Sequence, residues 1–316
     1  MGNSNRLKDK IYITQPFLPP LEEYTELLNQ IWENKQLTNK GPFSLQFEEA
    51  LAKYLNVKYI SIVNNATIGL IIAQRAIGFT GDIITTPFSF SATAHSIKWN
   101  GLNPIFVDTD KYAGNLDPGK VQESITKNTG GILAVHNYGM PGNVEKLSEI
   151  ADQYNIPLIY DAAPAIGAKF KNKLVGTFGI ASAFSFQGAK LIVAGEGGIL
   201  ITSNTNLYMK IKQLAAHGRT FKKDKNTFWI EKIGYKYAMS NIQAALCLAQ
   251  FQRLKELISK KRKIFSWYSQ YLKDLNHIKL NKEKYPSKSV YWMTTLFIKK
   301  SLAFILLCWQ KITTIV

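Results

Sequence analysis

Lys190 is the residue whose type and place most invite chemistry. The stretch FSFQGAKLIVAGEGGILIT, Phe184 to Thr202, sets a lysine between two β-like runs and follows it with Gly195-Glu196-Gly197-Gly198. Burying an ammonium in an apolar segment is costly, so the chain either leaves Lys190 in water or uses it as an amine. VNNATIGL, Val63 to Leu70, comes off one β-like run and opens a helix. The amides near Ala66 and Thr67 and the Thr67 hydroxyl can therefore hold a phosphate, or Asn65 is simply a helix cap. Asp161 ends PLIYDAA, where a carboxylate faces a cationic ring nitrogen or caps the following turn. Ser185 offers the phosphate a second hydroxyl, and Phe90 in TTPFSFSATAHSI is either a flat face for a ring or an ordinary core aromatic. Together these residues describe a pyridoxal-phosphate site better than separate explanations do. That cofactor needs an amine for its aldehyde, a cradle for its phosphate, a carboxylate for its pyridine nitrogen and something flat over the ring.

The elements that must position them alternate. The β-like runs are Tyr59 to Val63, Asp82 to Thr86, Pro104 to Asp108, Gly131 to Asn137, Pro157 to Asp161, Ser182 to Phe186 and Gly198 to Thr202. Helical stretches fall between most of them: Leu45 to Leu55, Thr67 to Ile77, Ala92 to Asn100 and Val144 to Tyr154. The pattern predicts an α/β fold with a mostly parallel central sheet flanked by helices, its ligands gathered at the carboxyl ends of strands. From Ser240 to Leu272 apolar residues at helical spacing predict one long helix leading into a second domain. The expected division is a large domain over residues 1–239, including an amino-terminal arm, and a connecting helix with a small α/β domain over 240–316.

With 316 residues, 46% of them hydrophobic, the chain can bury a large core. Cys247 and Cys308 lie far apart with no metal-ligand spacing, which argues against a disulfide framework or a zinc site and fits a reducing cytoplasm. The amino end lacks the apolar core of a signal peptide, and SLAFILLCWQ is too short to span a bilayer. The expectation is a cytoplasmic protein bound to no membrane. The formal charge of +17 admits polyanions or a small anion as ligand. Lys222, Lys223, Lys225, Lys260, Lys261 and Lys263 are scattered without a reading motif or stacking platform, so no nucleic-acid partner is expected.

The motifs LTNKGPF, NNATIGL, TTPFSFSATAHSI, VHNYGMPGNVEKL, YDAAPAIGA, FSFQGAK with GEGG, and IGYKYAMSNIQAALCLAQFQRL follow one another from roughly Ile11 to Met293. In that order they resemble the DegT/StrS-type nucleotide-sugar aminotransferases, which are fold-type I pyridoxal-phosphate enzymes. The resemblance implies that Lys190 binds the cofactor's aldehyde, Asp161 pairs with the pyridine nitrogen, Phe90 lies against the ring, and Ala66, Thr67 and Ser185 hold the phosphate. It implies a homodimer with shared sites, in which Lys236 of GYKYAMSN reaches the phosphate of the partner's cofactor. The freed Lys190 would move the donor's Cα proton, and Glu196 would fix the glycine turn. The implied reaction passes an amino group from glutamate to a nucleotide-linked 4-keto-6-deoxy sugar for surface-polysaccharide synthesis. Relatives that are sugar dehydratases carry histidine at the lysine position, and this chain has lysine. Pro164, Gln187, Ala66 and Ala238 depart from the common pattern. The largest departure is KKSLAFILLCWQKITTIV, Lys299 to Val316, which resembles none of the family's small domain. That end carries the expectation of a shortened or frameshifted chain with an incomplete small domain. The rival reading is an impaired remnant or a basic binding protein on the same scaffold.

Overall fold

A computed structural model of the chain describes residues 15–219 and 229–298. The expectations placed on the amino-terminal arm, on Lys222, Lys223 and Lys225, and on the altered carboxyl end fall wholly or partly outside the described residues. The elements run α1 (Leu21–Asn34), α2 (Pro42–Leu55), β1 (Tyr59–Val63), α3 (Ala66–Ile77), β2 (Asp82–Thr85), α4 (Ser91–Trp99), β3 (Asn103–Phe106), α5 (Pro118–Glu123), β4 (Thr129–Val135), α6 (Val144–Gln153) and β5 (Leu158–Asp161). They continue with β6 (Lys169–Phe170), β7 (Lys173–Leu174), β8 (Ala181–Ser185), β9 (Gly198–Thr202), α7 (Thr205–Ala215), α8 (Asn241–Gln252), α9 (Leu254–Tyr271), β10 (Ile278–Leu280), β11 (Ser287–Lys288) and β12 (Leu296–Ile298).

Seven strands form the central sheet in the order β1-β9-β8-β5-β4-β2-β3. From β3 to β8 every neighbouring pair is parallel, and β9 inserts antiparallel between β8 and β1. Strands β5, β8 and β9 are buried along their whole length, which is why LIYD, ASAFS and GILIT read as nearly continuous apolar runs. Alternate residues feed opposite faces. Ile83, Leu133, Ile159 and Leu200 pack with α3 and α7 on one side. On the other, Ile84, Ile132 and Tyr160 pack with α6, while Phe184, Ile199 and Ile201 pack with α2 and α8. A large aliphatic side chain fully buried in this way contributes roughly 1.5–3 kcal/mol.

The strand bounds differ from expectation at the site end of the sheet. β4 stops at Val135, and the chain turns at Asn137–Gly139 because the Asn137 amide group bonds sideways to the Phe88 and Gly114 carbonyls. β3 stops at Phe106 instead of Asp108. The single helix expected from Ser240 to Leu272 is two helices. Arg253 leaves helical geometry at φ −97°, ψ 2°, its amide closes the end of α8 on the Gln250 carbonyl, and its guanidinium bonds the Leu18 carbonyl. Helix α8 can thus lie on α1 and α2, while α9 packs Phe265 against Leu280 and Leu296 of the two-stranded β10-β12 sheet. No glycine or proline marks the break, so apolar spacing ran straight through it.

Candidate active site

The carboxyl ends of β1, β5 and β8 bring Ala66, Thr67, Asp161 and Ser185 to one edge. Helix α3 starts two residues after β1, capped by Asn65, whose side chain accepts from the Ile68 amide at 2.9 Å, while the Gly69 amide bonds the Asn65 carbonyl. Asn65 therefore caps the helix, and the amides of Ala66 and Thr67 belong to its first turn, where amides have no partner within the helix. Ser185 lies at the end of β8 and pairs in register with Gly198 of β9, which in turn pairs with Val63 of β1. A Cβ built on Gly198 would stand 2.6 Å from the Ala66 nitrogen and the Asn65 carbonyl carbon. Only glycine lets the start of α3 sit this close to the strand beside Ser185.

Asp161 ends β5 and is only 5% exposed. Its Oδ2 accepts from the Thr93 hydroxyl at 2.8 Å and its Oδ1 from the Ala163 amide at 3.1 Å, so one oxygen is also a turn cap. Burial pushes the carboxyl above the usual range, while those two hydrogen bonds and the nearby Lys190 charge pull it back. Thr93 belongs to α4, whose N-cap is Phe90, and the Phe90 ring stands 78% exposed beside this end of the sheet.

Lys190 sits in the loop between β8 and β9. The loop is closed by backbone bonds from Phe186 to Gly197, Gly188 to Gly195 and Ala194 to Phe186. Glu196 is exposed, and its part in holding the turn runs through its carbonyl, which accepts from Gln243 Nε2. Lys190 is half-buried, and burial lowers its ammonium below the ordinary lysine range against the opposing pull of Asp161. Its Nζ lies 4.0 Å from the centre of the Trp292 ring. Lys236 stands in another part of the fold: exposed, bridged to Ala216, its Nζ donating to Asn39 Oδ1 at 3.1 Å.

A group carrying a phosphate, an aldehyde and a protonatable ring nitrogen fits these residues. Ala66 and Thr67 supply first-turn amides and Ser185 a hydroxyl at neighbouring strand ends, brought together by the close approach that Gly198 permits; Asp161 supplies a dry carboxylate, and Lys190 supplies an amine held toward its neutral form. Sequence reasoning missed Thr93 and Trp292. Thr93 was findable as a hydroxyl one turn into the helix that Phe90 opens; nothing local marks Trp292, which comes from a distant segment.

An amine of this kind, set across from a buried carboxylate on a largely parallel sheet, is the equipment of the aminotransferase class of pyridoxal-phosphate enzymes. The chain belongs to the DegT/DnrJ/EryC1/StrS aminotransferase family, which it matches over residues 21–305. It is 39% identical over 274 residues to the dTDP-4-amino-4,6-dideoxy-D-glucose transaminase of Shigella dysenteriae, covering 87% of this chain and 73% of that one. The enzyme of the same description from Escherichia coli is 42% identical over 269 residues, 84% and 71% of the two chains. The GDP-perosamine synthase of Escherichia coli O157:H7 is 34% identical over 291 residues, 92% and 78%. Among solved structures, Helicobacter pylori PseC, an aminotransferase of pseudoaminic acid biosynthesis, superposes with a TM-score of 0.87 at 30% identity over 92% of this chain and 78% of its own. The family implies pyridoxal phosphate as cofactor. Among the described residues no helix is long and apolar enough to cross a membrane, and none group as three or more His, Cys, Asp or Glu around a metal.

Proposed function

We propose that this enzyme moves an amino group from glutamate to a nucleotide-linked 4-keto-6-deoxy sugar, in the cytoplasm, for surface-polysaccharide biosynthesis. The observation that carries the reading is the pairing of a half-buried Lys190 with a buried Asp161 at the carboxyl edge of the sheet. Pyridoxal phosphate, when bound, supplies an aldehyde that joins amines and a protonated ring that accepts the electron pair released at the donor's Cα. Ala66, Thr67 and Ser185 would hold its phosphate, Asp161 would keep its ring nitrogen protonated, and the Phe90 face would lie against the ring. Lys190 Nζ, pushed toward the free amine by burial, takes the proton from the donor's Cα and returns a proton when the keto sugar is aminated. The relatives' dTDP and GDP sugars are anionic substrates, and a chain of +17 attracts such ligands.

The same proposal includes a homodimer in which Lys236 reaches the partner's phosphate site. Trp229, Ile230 and Ile233, all more than half exposed, lie just before Lys236 and support a covered face there. A panel of 4-keto-sugar nucleotides with glutamate, read by mass spectrometry, tests the reaction. Amination of at least one sugar is expected; cofactor loading without amination of any would favour a silent scaffold. Mixing Lys190→Ala with Lys236→Ala subunits tests the shared site, because each mixed dimer rebuilds one intact site. No regain of activity over the separate variants would refute the sharing.

A further inference from the structure

We propose that Trp292 is a positioning residue for Lys190: the indole face holds the free ammonium, and the indole N–H fixes the loop that carries it. The inference rests on the reading of Lys190 as the reactive amine. Two contacts converge from one side chain. Lys190 Nζ lies 4.0 Å from the ring centre, and Trp292 Nε1 donates to the Ala189 carbonyl at 2.6 Å. The first contact acts on the reactive atom and the second on the peptide next to it. An ammonium over an indole is attracted by the negative face of the ring, most strongly where water is scarce.

The ring is itself held. The chain just before it is anchored to the turn at the end of β4, where the Val290 amide donates to the Gly139 carbonyl at 3.1 Å and the Ser289 hydroxyl to the same oxygen at 2.9 Å. Arg262 of α9 bonds the Ser289 carbonyl and makes a paired bond with Glu283, locking the segment from its other side. Beside Lys190 and Trp292 opens a cavity of about 220 Å³ into which Lys260 and Lys261 also face. Without the indole, the Lys190 ammonium would share that space with Lys261, with Lys260, which is paired to Glu256 at 2.7 Å, and with a wall formed by Leu257 and Ile264. An amine that would bind the cofactor's aldehyde would have to stay close when free, and an aromatic face gives its ammonium a fixed resting place. Burial favours the free amine, while the Asp161 charge and the ring favour the ammonium, so Trp292 shares in setting how readily the lysine gives up its proton.

The test is the pH midpoint of Lys190 modification by trinitrobenzenesulfonate in cofactor-free protein, read by peptide mass spectrometry. Trp292→Leu removes the ring, and a difluorinated tryptophan introduced at 292 by nonsense suppression weakens its negative face while keeping its shape and N–H. Both midpoints should fall, by about one pH unit for the leucine variant and by a smaller step for the fluorinated ring. An unmoved midpoint in the fluorinated protein, which retains the fold, would overturn the proposal even if the leucine variant unfolds. Borohydride reduction of the cofactor-loaded enzyme followed by peptide mapping separates the two levels. A pyridoxal-phosphate adduct on another lysine would overturn the catalytic reading and this role with it, whereas an adduct on Lys190 with an unmoved midpoint overturns the Trp292 role alone.

Discussion

Substituting alanine at three glycines in and beside the Lys190 loop should give three different results, because their surroundings and backbone constrain them differently. At Gly198 the reason is space. The added Cβ would stand 2.6 Å from the Ala66 nitrogen and the Asn65 carbonyl carbon and 2.9 Å from the Phe184 oxygen, all backbone atoms that cannot rotate away. Reaching an ordinary contact of 3.4 Å requires the start of α3 to move off β9 by about 0.8 Å. Overpacking of this kind costs roughly 1–3 kcal/mol. The displaced residues also carry the free amides of Ala66 and Thr67, and a hydrogen bond to a charged group contributes about 1.5–3 kcal/mol. Loss of one such bond weakens phosphate binding roughly 10- to 100-fold. Gly198→Ala should therefore lower both the melting temperature, by several degrees at roughly 2–4 °C per kcal/mol, and the affinity for pyridoxal phosphate.

At Gly195 the reason is the backbone: its φ is +74° and no atom lies within 4 Å of a built Cβ. Gly195→Ala should cost about 1–2 kcal/mol of stability and leave cofactor affinity near wild type. Gly188 has neither constraint, and Gly188→Ala should change nothing measurable. Calorimetry of the cofactor-free proteins and fluorescence titration with pyridoxal phosphate read both quantities. If Gly198→Ala binds the cofactor as wild type does, or Gly195→Ala loses affinity as severely, the placement of the phosphate at the start of α3 is wrong.

Lys190→Ala should abolish turnover and the borohydride-fixable link to the cofactor; a reducible adduct at full yield in that variant would sink the assignment. Asp161→Asn keeps the shape of a buried side chain and its bond from the Ala163 amide but gives up the negative charge, so cofactor binding should largely survive while turnover drops by several powers of ten, each factor of ten being ~1.4 kcal/mol. Unchanged turnover would reduce Asp161 to a turn cap. His136 is fully buried, stacks on Tyr160 at 4.5 Å, and is held by burial to a pKa of about 3. The folded state takes up its proton later than the unfolded state, so stability from this group is complete above about pH 6.5 and is lost as pH falls toward 3. Denaturant titrations should show His136→Gln losing less stability across that window than wild type, and parallel curves would remove His136 as a source of acid lability.

Much of the fold was legible because a parallel sheet buried on both faces writes itself as short apolar runs. The runs at Tyr59, Asp82, Pro157 and Gly198 became strands with bounds shifted by no more than one residue. What sequence could not show is where sideways bonds end an element. Asn137 stops β4 through carbonyls of two other loops, and Arg253 breaks the long helix through a carbonyl in the chain before α1. Both residues are compatible with the pattern they interrupt, so only the contact decides. The site divides in the same way. Ala66, Thr67, Asp161, Ser185 and Lys190 each stand at or just beyond a strand end, a position that period and punctuation reveal. Thr93 and Trp292 act on Asp161 and Lys190 from a helix and from a distant return of the chain, and their significance exists only in three dimensions.

Those two contacts also explain how the site keeps opposite charges ready in one dry place. Burial works against ionisation at both residues, raising Asp161 and lowering Lys190. Asp161 is given two donors, Thr93 and the Ala163 amide, which favour its charged form together with the Lys190 charge. Lys190 has an aromatic face in addition to the charge of Asp161, and on the proposed reading this weak attraction is surrendered when the amine reacts. On the proposed reading, a tight ion pair between the two would satisfy both groups and disable both, since the carboxylate would no longer be free for a ring nitrogen and the ammonium would not readily become a base. Separate, unequal partners keep the carboxylate fixed and the lysine free to move, which is the asymmetry that proton transfer at a bound substrate requires.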